Sequence, residues 1–236
     1  MNIVITGASR GIGYATAQLM ALNTNNTIVA IARNRENLNR LKAAIDCQNA
    51  NAQLHLIVFD LEKIDSFDAL TKLVEKKIQH IDILINMAGH MIRKDFEHTT
   101  IDEAKRIFDV NFFAPAKLIA SFLPLLRKSK KSHVINISSM AAFQGSLKFS
   151  GLSYYAASKG ALSTLSECLA QEFKADNIFV NALCLGAVQT EMFAEAFPGH
   201  EAPLKAEGMA HFIADFAYNG HKYFNGKVLP VNSSTP

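Results

Sequence analysis

The chain has 236 residues, 49% of them hydrophobic, and a formal net charge of +3. That length supports one self-sufficient core, and the charge is too small to imply nucleic acid as a partner. No run of eighteen apolar residues occurs, so no membrane span is expected.

The opening Asn2-Ile-Val-Ile-Thr6 reads as a short strand running into glycine, which argues against a leader peptide. Short β-branched runs then alternate with longer amphipathic segments, the pattern of a parallel sheet flanked by helices. Strands are expected at 2–6, 27–32, 53–59, 83–86, 133–138, 178–183 and 227–231. Helical spacing is clearest over 101–126 and 155–174. From 186 to 226 the periodicity is weak. Phe197-Pro198-Gly199-His200 has turn chemistry, so that stretch reads as a loop over the sheet edge. Without repeats, low-complexity tracts or linkers, residues 1–236 make a single domain. The three cysteines, Cys47, Cys168 and Cys184, show no metal-ligand spacing and fit a reducing cytoplasm, so no metal and a cytoplasmic location are expected.

The first strand, then Gly7, Gly11 and Gly13, then an apolar run from Ile12 form strand, turn and helix. Glycines let a backbone turn tightly against a pyrophosphate, which sits at the positive end of the new helix. The spacing is Gly-x-x-x-Gly-x-Gly, and its place in the first βα turn lifts it above a plain connection. The second strand ends Ile31-Ala32-Arg33-Asn34-Arg35. A carboxylate there would bind the ribose 2′-hydroxyl of NAD and repel a 2′-phosphate. Arg33, with Arg10 inside the turn, instead points to NADP(H) over NAD(H). Arg35 reads as a solvated surface side chain.

Tyr155 and Lys159 are four residues apart in a helical pattern and so share a face. A nearby ammonium favours the phenolate and is expected to lower the tyrosine pKa. Ser139 ends a buried strand, at the carboxyl edge where ligands sit in open α/β sheets. Its hydroxyl could donate to a carbonyl oxygen or simply cap a turn. Asn111 is a polar residue in a strongly apolar helix, where it needs a hydrogen-bonding partner.

With these pieces in order, the chain resembles the short-chain dehydrogenase/reductase family over nearly its whole length. The resemblance rests on Thr6-Gly-Ala-Ser-Arg-Gly-Ile-Gly13, Phe59-Asp60-Leu61, Asn86-Met-Ala-Gly89, Val110-Asn111, Ile135-Asn-Ile-Ser-Ser139 and Tyr155-Ala-Ala-Ser-Lys159. It continues in Val180-Asn-Ala-Leu-Cys-Leu-Gly186 with Thr190, and in Gly226-Lys-Val-Leu-Pro-Val231. It implies an α/β fold: one Rossmann-type, doubly wound domain with a seven-stranded parallel sheet flanked by helices on both faces. By resemblance, Asn111, Ser139, Tyr155 and Lys159 are catalytic. Tyr155 is the acid/base, Lys159 tunes it and binds the nicotinamide ribose, Ser139 polarises the carbonyl, and Asn111 supports a water in the proton relay. The same resemblance gives the cofactor to Gly7, Ser9, Arg10, Gly11, Ile12, Gly13, Arg33, Asp60, Leu61, Asn86, Ala88, Gly89, Tyr155, Lys159, Gly186, Val188 and Thr190. It also implies a homodimer or homotetramer and a small-molecule carbonyl or alcohol substrate.

Three departures stand out. Met87 replaces an asparagine, Leu185 replaces a proline and implies a less rigid loop, and the substrate-loop region at about 187–225 is short. The leading expectation is an NADP(H)-dependent oxidoreductase acting on a carbonyl or secondary alcohol. One alternative is a nucleotide-sensing or scaffold protein of the same fold without turnover. A narrower one is a 3-oxoacyl-carrier-protein reductase, drawn from the basic stretch Arg127-Lys-Ser-Lys-Lys131, which equally fits a helix C-terminus complementing its dipole. Phe143, Leu147, Phe149, Met192, Phe193 and Phe197 flank the site as pocket wall, core or subunit interface.

Overall fold

The computed structural model of the chain describes residues 1–63 and 66–232. Residues 64, 65 and 233–236 of the expected domain lie outside that description. The first half runs β1 (Asn2–Thr6), α1 (Gly11–Ala21), β2 (Thr27–Ala32), α2 (Arg35–Gln48), β3 (Gln53–Val58), α3 (Phe67–Glu75) and β4 (Ile83–Asn86). There follow α4 (Ile101–Phe108), α5 (Ala114–Arg127), β5 (Ser132–Ser139), α6 (Ser153–Glu172) and β6 (Ile178–Leu185). The chain closes with β7 (Val188–Gln189), α7 (Glu191–Ala196), β8 (Leu204–Lys205), α8 (Ala206–Asn219) and β9 (Val228–Val231).

Seven strands form one parallel sheet in the order β3-β2-β1-β4-β5-β6-β9. The strands are apolar on both faces because both faces are covered. Ile3, Ile5, Ile135 and Ile137 pack on one side with residues of α1, α2 and α8. Val4, Leu84, Val134 and Val180 pack on the other with α3, α5 and the end of α6. The strand order reverses between β1 and β4. A crevice therefore opens at their carboxyl ends, the general ligand position of such sheets.

Two sequence expectations need correction. The stretch 186–226 is not mainly a loop. Residues 187–205 cross the sheet edge, but α8 is a core helix packed against α1. Its buried residues, Met209, Ala210, Ile213, Ala214, Phe216 and Ala217, repeat at three- and four-residue spacing. Half of them are alanines, a weak hydrophobic signal, and the turn chemistry just upstream masked the helix. The second correction concerns the helix expected over 101–126. It is interrupted by a π-helical turn, Asp109–Phe113, between α4 and α5. The helical run Ile101–Arg127 holds no eighteen consecutive apolar residues, yet taken as a whole it is long and apolar enough, by length and composition only, to cross a membrane. Half of its most apolar window is buried within the domain, while Ile101 and Phe113 lie exposed.

Candidate active site

The crevice is a cavity of about 770 Å³. Its floor is the turn between β1 and α1. Gly7 and Gly11 have φ of +70° and +53°, a region that side chains strain to enter. A Cβ on Gly7 would stand 2.8 Å from the backbone of Ala88, and one on Gly13 would stand 2.3 Å from the Gly7 carbonyl. The glycines thus let the turn press against both the β4 loop and its own helix. Thr6 Oγ accepts the Met87 and Ala88 N–H groups at 3.1 and 3.2 Å. That bond fixes the β4 loop by its backbone, so Met87 needs no polar side chain there. No side chain caps the N-terminus of α1, and its first turn carries no acidic residue. Its N–H groups and the positive end of the helix dipole are therefore suited to an anion such as a pyrophosphate. The cradle fits a dinucleotide.

At the far end of β2, Arg33 lines the cavity, but its guanidinium is held by Glu62 at 2.8 Å, with Asp60 at 3.9 Å. Arg106 of α4 reaches the same Glu62 oxygen at 3.2 Å from outside the lining. Sequence reasoning missed both Glu62 and Arg106. An acidic residue directly after Asp60-Leu61 was the available signal for the first, and nothing in the sequence signalled the second. Arg10 pairs with Glu195 of α7 at 3.3 Å, an exposed contact. The substrate-side loop is thereby tied across the glycine turn.

The reactive groups come from β5 and α6. Strand alternation turns Asn136 and Ser138 toward α6, where Asn136 donates to Ser166 Oγ and Ser138 Oγ donates to the Lys159 carbonyl, each at 2.9 Å. Ser163 Oγ donates to Ser138 Oγ at 2.9 Å. These bonds dock the helix at one height on the strand and leave Ser139 facing the cavity. The Ser139 hydroxyl lies near the Tyr155 hydroxyl and favours its ionised form. It also accepts the Ala141 N–H at 3.1 Å, so the turn cap and the cavity contact coexist. Lys159 lies one turn after Tyr155, 3% exposed, and donates from Nζ to the Ile137 carbonyl at 2.7 Å.

The electrostatics correct one expectation. Tyr155 is not pulled down by Lys159. Burial pushes the phenol up, and the Ser139 hydroxyl only partly opposes it. Lys159 is itself lowered to about 8 by burial. Both groups are buried, so desolvation dominates, and a lysine lowered to about 8 has already lost its charge in the range where the raised phenol would ionise.

Asn111 and Asn86 do not line the cavity. Asn111 Nδ2 donates to the His90 carbonyl at 2.9 Å and to Ser158 Oγ at 3.0 Å, and Oδ1 accepts the His90 N–H at 2.8 Å. Asn86 Nδ2 donates to Asn136 Oδ1 at 2.8 Å, joining β4 to β5. Ser9, Ile12, Asp60, Leu61, Ala88, Gly89, Gly186, Val188 and Thr190 all line the cavity. Thr190 Oγ accepts the Phe193 N–H at 3.2 Å and caps α7. Leu185 is held by backbone pairing immediately before its loop. It remains in the β5–β6–β9 ladder, and its carbonyl accepts the Met140 N–H at 2.9 Å. Arg127 pairs with Asp176 at 2.9 Å. Residues 127–131 precede β5, whereas the cavity lies past its other end. The eight residues of β5 separate the two by about 25 Å at roughly 3.3 Å per residue.

The chain belongs to the short-chain dehydrogenase family of oxidoreductases, whose model matches residues 1–201. It is 34% identical to a fatty acyl-CoA reductase of Acinetobacter baylyi over 81% of this chain, a match spanning 63% of that protein's length. It is 31% identical to the short-chain dehydrogenase anuI of Penicillium roqueforti, over 96% of this chain and 92% of that one. Among solved structures, it superposes with a TM-score of 0.87 on a Beutenbergia cavernae protein described as an NAD(P)-dependent gluconate 5-dehydrogenase, with NADP bound at low occupancy. That match has 26% identity and covers 98% of this chain and 94% of the other.

Proposed function

We propose that this chain is an NADP(H)-dependent oxidoreductase that interconverts a carbonyl and a secondary alcohol, with Tyr155 as general acid/base. The observation that carries the reading is the placement of two hydroxyls, Tyr155 and Ser139, in the same cavity as Lys159 and the glycine turn. Gly7, Gly11, Gly13 and the uncapped start of α1 would hold the pyrophosphate, and Arg10 and Arg33 the 2′-phosphate. A bound nicotinamide supplies or accepts the hydride. Ser139 donates to the carbonyl oxygen as charge develops on it, and Tyr155 delivers the proton to that oxygen. Because burial raises the Tyr155 pKa, the phenol keeps its proton at neutral pH, which suits the reducing direction. Lys159, lowered to about 8, carries its charge below that pH and sits beside Gly89, one helical turn after Tyr155.

The test is turnover of NADPH with a carbonyl panel by the parent protein and by Tyr155→Phe. The variant should lose about 100-fold or more in kcat, the usual share of a positioned proton donor. Its NADPH affinity should stay close to the parent's, since the glycine turn is untouched. Parent-level reduction by the variant would overturn the role of Tyr155. NADPH binding without turnover of any carbonyl would favour the nucleotide-sensing alternative.

A further inference from the structure

We propose that the substrate is an apolar carbonyl compound, an alkyl or aryl aldehyde or ketone, and that polyhydroxylated carbonyls are excluded. The inference rests on the reading that reduction takes place at Tyr155 and Ser139. It deepens that reading by naming what surrounds the reacting group.

Beyond the two hydroxyls the cavity is walled by Met91, Met140, Phe149, Leu152, Phe193 and Phe197. These come from the β4 loop, from the segment between β5 and α6, and from α7 and the turn after it. The aromatic members touch across segments. Phe197 lies 5.2 Å from Phe193 and 6.0 Å from Phe149, ring centre to ring centre. The Arg93 guanidinium stands 4.5 Å over the Phe197 ring and donates to the Ala196 carbonyl at 3.0 Å. Its charge therefore fastens the wall and is directed at groups of the protein. Phe149 is nonetheless 44% exposed, and Phe193 and Phe197 are only half-buried. Large apolar faces that are neither core nor covered border the site of reaction.

Polar side chains on this side stand at the solvent rim: Glu191, His200 and Glu201 line the cavity but are exposed, and His200 Nδ1 is within 3.2 Å of the Pro198 carbonyl. The Thr190 hydroxyl oxygen already accepts the α7 cap bond. The Ser139 and Tyr155 hydroxyls are required by the carbonyl oxygen itself. Inside that rim, each further hydroxyl of a polyol would be desolvated against methionine and phenylalanine without a partner, which costs about five- to a hundredfold per group. A methylene in the same place gains about fourfold, the equivalent of about 0.8 kcal/mol for one buried CH₂. The two methionines add unbranched, adaptable side chains, which suits a range of alkyl shapes.

Two measurements on the full chain test this. The first is kcat/KM with NADPH for straight-chain 2-alkanones of increasing length, against polyhydroxy ketones of the same carbon number. The value should rise about fourfold per added carbon until the cavity is filled, and the polyhydroxy ketones should fall at least a hundredfold below their alkyl counterparts. The second is calorimetric binding of 1-alkanols to the NADPH-loaded protein, which needs no turnover. Affinity should climb with chain length, and Phe197→Ala should flatten that climb. Affinities independent of chain length, or a preference for the polyhydroxy ketones, would overturn the proposal. A chain-length increment in binding without any turnover would uphold the apolar pocket and sink the proposed reduction.

Discussion

At the level of single residues, the proposed 2′-phosphate position is more contested than two arginines in a sequence suggest. Arg33 does not wait free for a phosphate; Glu62 already holds it, and Arg106 holds Glu62 from behind. This arrangement gives Glu62 a partner to keep when Arg33 turns toward a phosphate, so no charge is stranded. The ion pairs are half-exposed and each is worth no more than about 1 kcal/mol, which leaves Arg33 able to exchange partners. Glu62→Gln should tighten NADPH binding by up to about fivefold by releasing Arg33 from its pair. Arg106→Ala should weaken it, because Glu62 then leans wholly on Arg33. NADH affinity, measured by the same titration, should move little in either variant. Arg33→Asp should reverse the cofactor preference outright. Equal changes for NADH and NADPH would show that Glu62 acts on the fold and not on the phosphate site.

At the level of elements, the strands and the glycine turn were legible because their signals are local. A β-branched run followed by a glycine-rich turn needs no tertiary information, and the same holds for the Tyr155–Lys159 spacing. The π-helical turn at Asp109–Phe113 was not legible in that way. Its trace is the buried series Ile107, Asn111, Pro115 and Ile119 at steps of four. A regular helix would rotate such a series by about 40° per step, and one widened turn takes up part of the drift. Reading this requires knowing that all four are buried, which spacing alone does not reveal. The turn aims Asn111 inward, where its amide ties the His90 backbone to Ser158 of α6. Asn111→Leu keeps the volume but leaves the His90 N–H and C=O without partners. Urea unfolding should show a loss of about 2 kcal/mol, the cost of buried polar groups left unmade. An unchanged midpoint at unchanged m-value would show that the π-turn does not depend on the amide.

At the level of the whole molecule, the carboxyl end of the sheet carries the reactive cavity, while one of its most constrained polar contacts lies near the other end. His133, at the start of β5, is 2% exposed and joins three elements. Its Nδ1 meets the Ala217 carbonyl of α8 at 3.1 Å, and its Nε2 meets Asn181 Nδ2 of β6 at 3.1 Å. Asn181 cannot flip, because Nδ2 also donates to the Phe224 carbonyl and Oδ1 accepts the Lys227 N–H. Nε2 must therefore accept, Nδ1 must carry the proton, and the ring must be neutral. The surroundings agree. Burial depresses its pKa to about 4, helped by His221, whose ring lies 5.8 Å away, and by Lys131, against a smaller opposing effect of the Ala217 carbonyl. Since the folded value lies below the unfolded value of 6.5, the unfolded chain binds the extra proton between these limits. Stability from this group is complete above about pH 6.5 and is lost as pH falls toward 4, at about 1.4 kcal/mol per pH unit and about 3 kcal/mol in all. His133→Gln removes the titration. The His55, His90 and His221 rings, also lowered by burial, remain as the background slope. Urea unfolding at a series of pH values from 7.5 to about 4 should show the parent losing stability more steeply than the variant within that window, with the curves parallel above it. The same acid slope in both proteins would show that His133 titrates alike in the folded and unfolded chains and that the buried tautomer does not control acid stability.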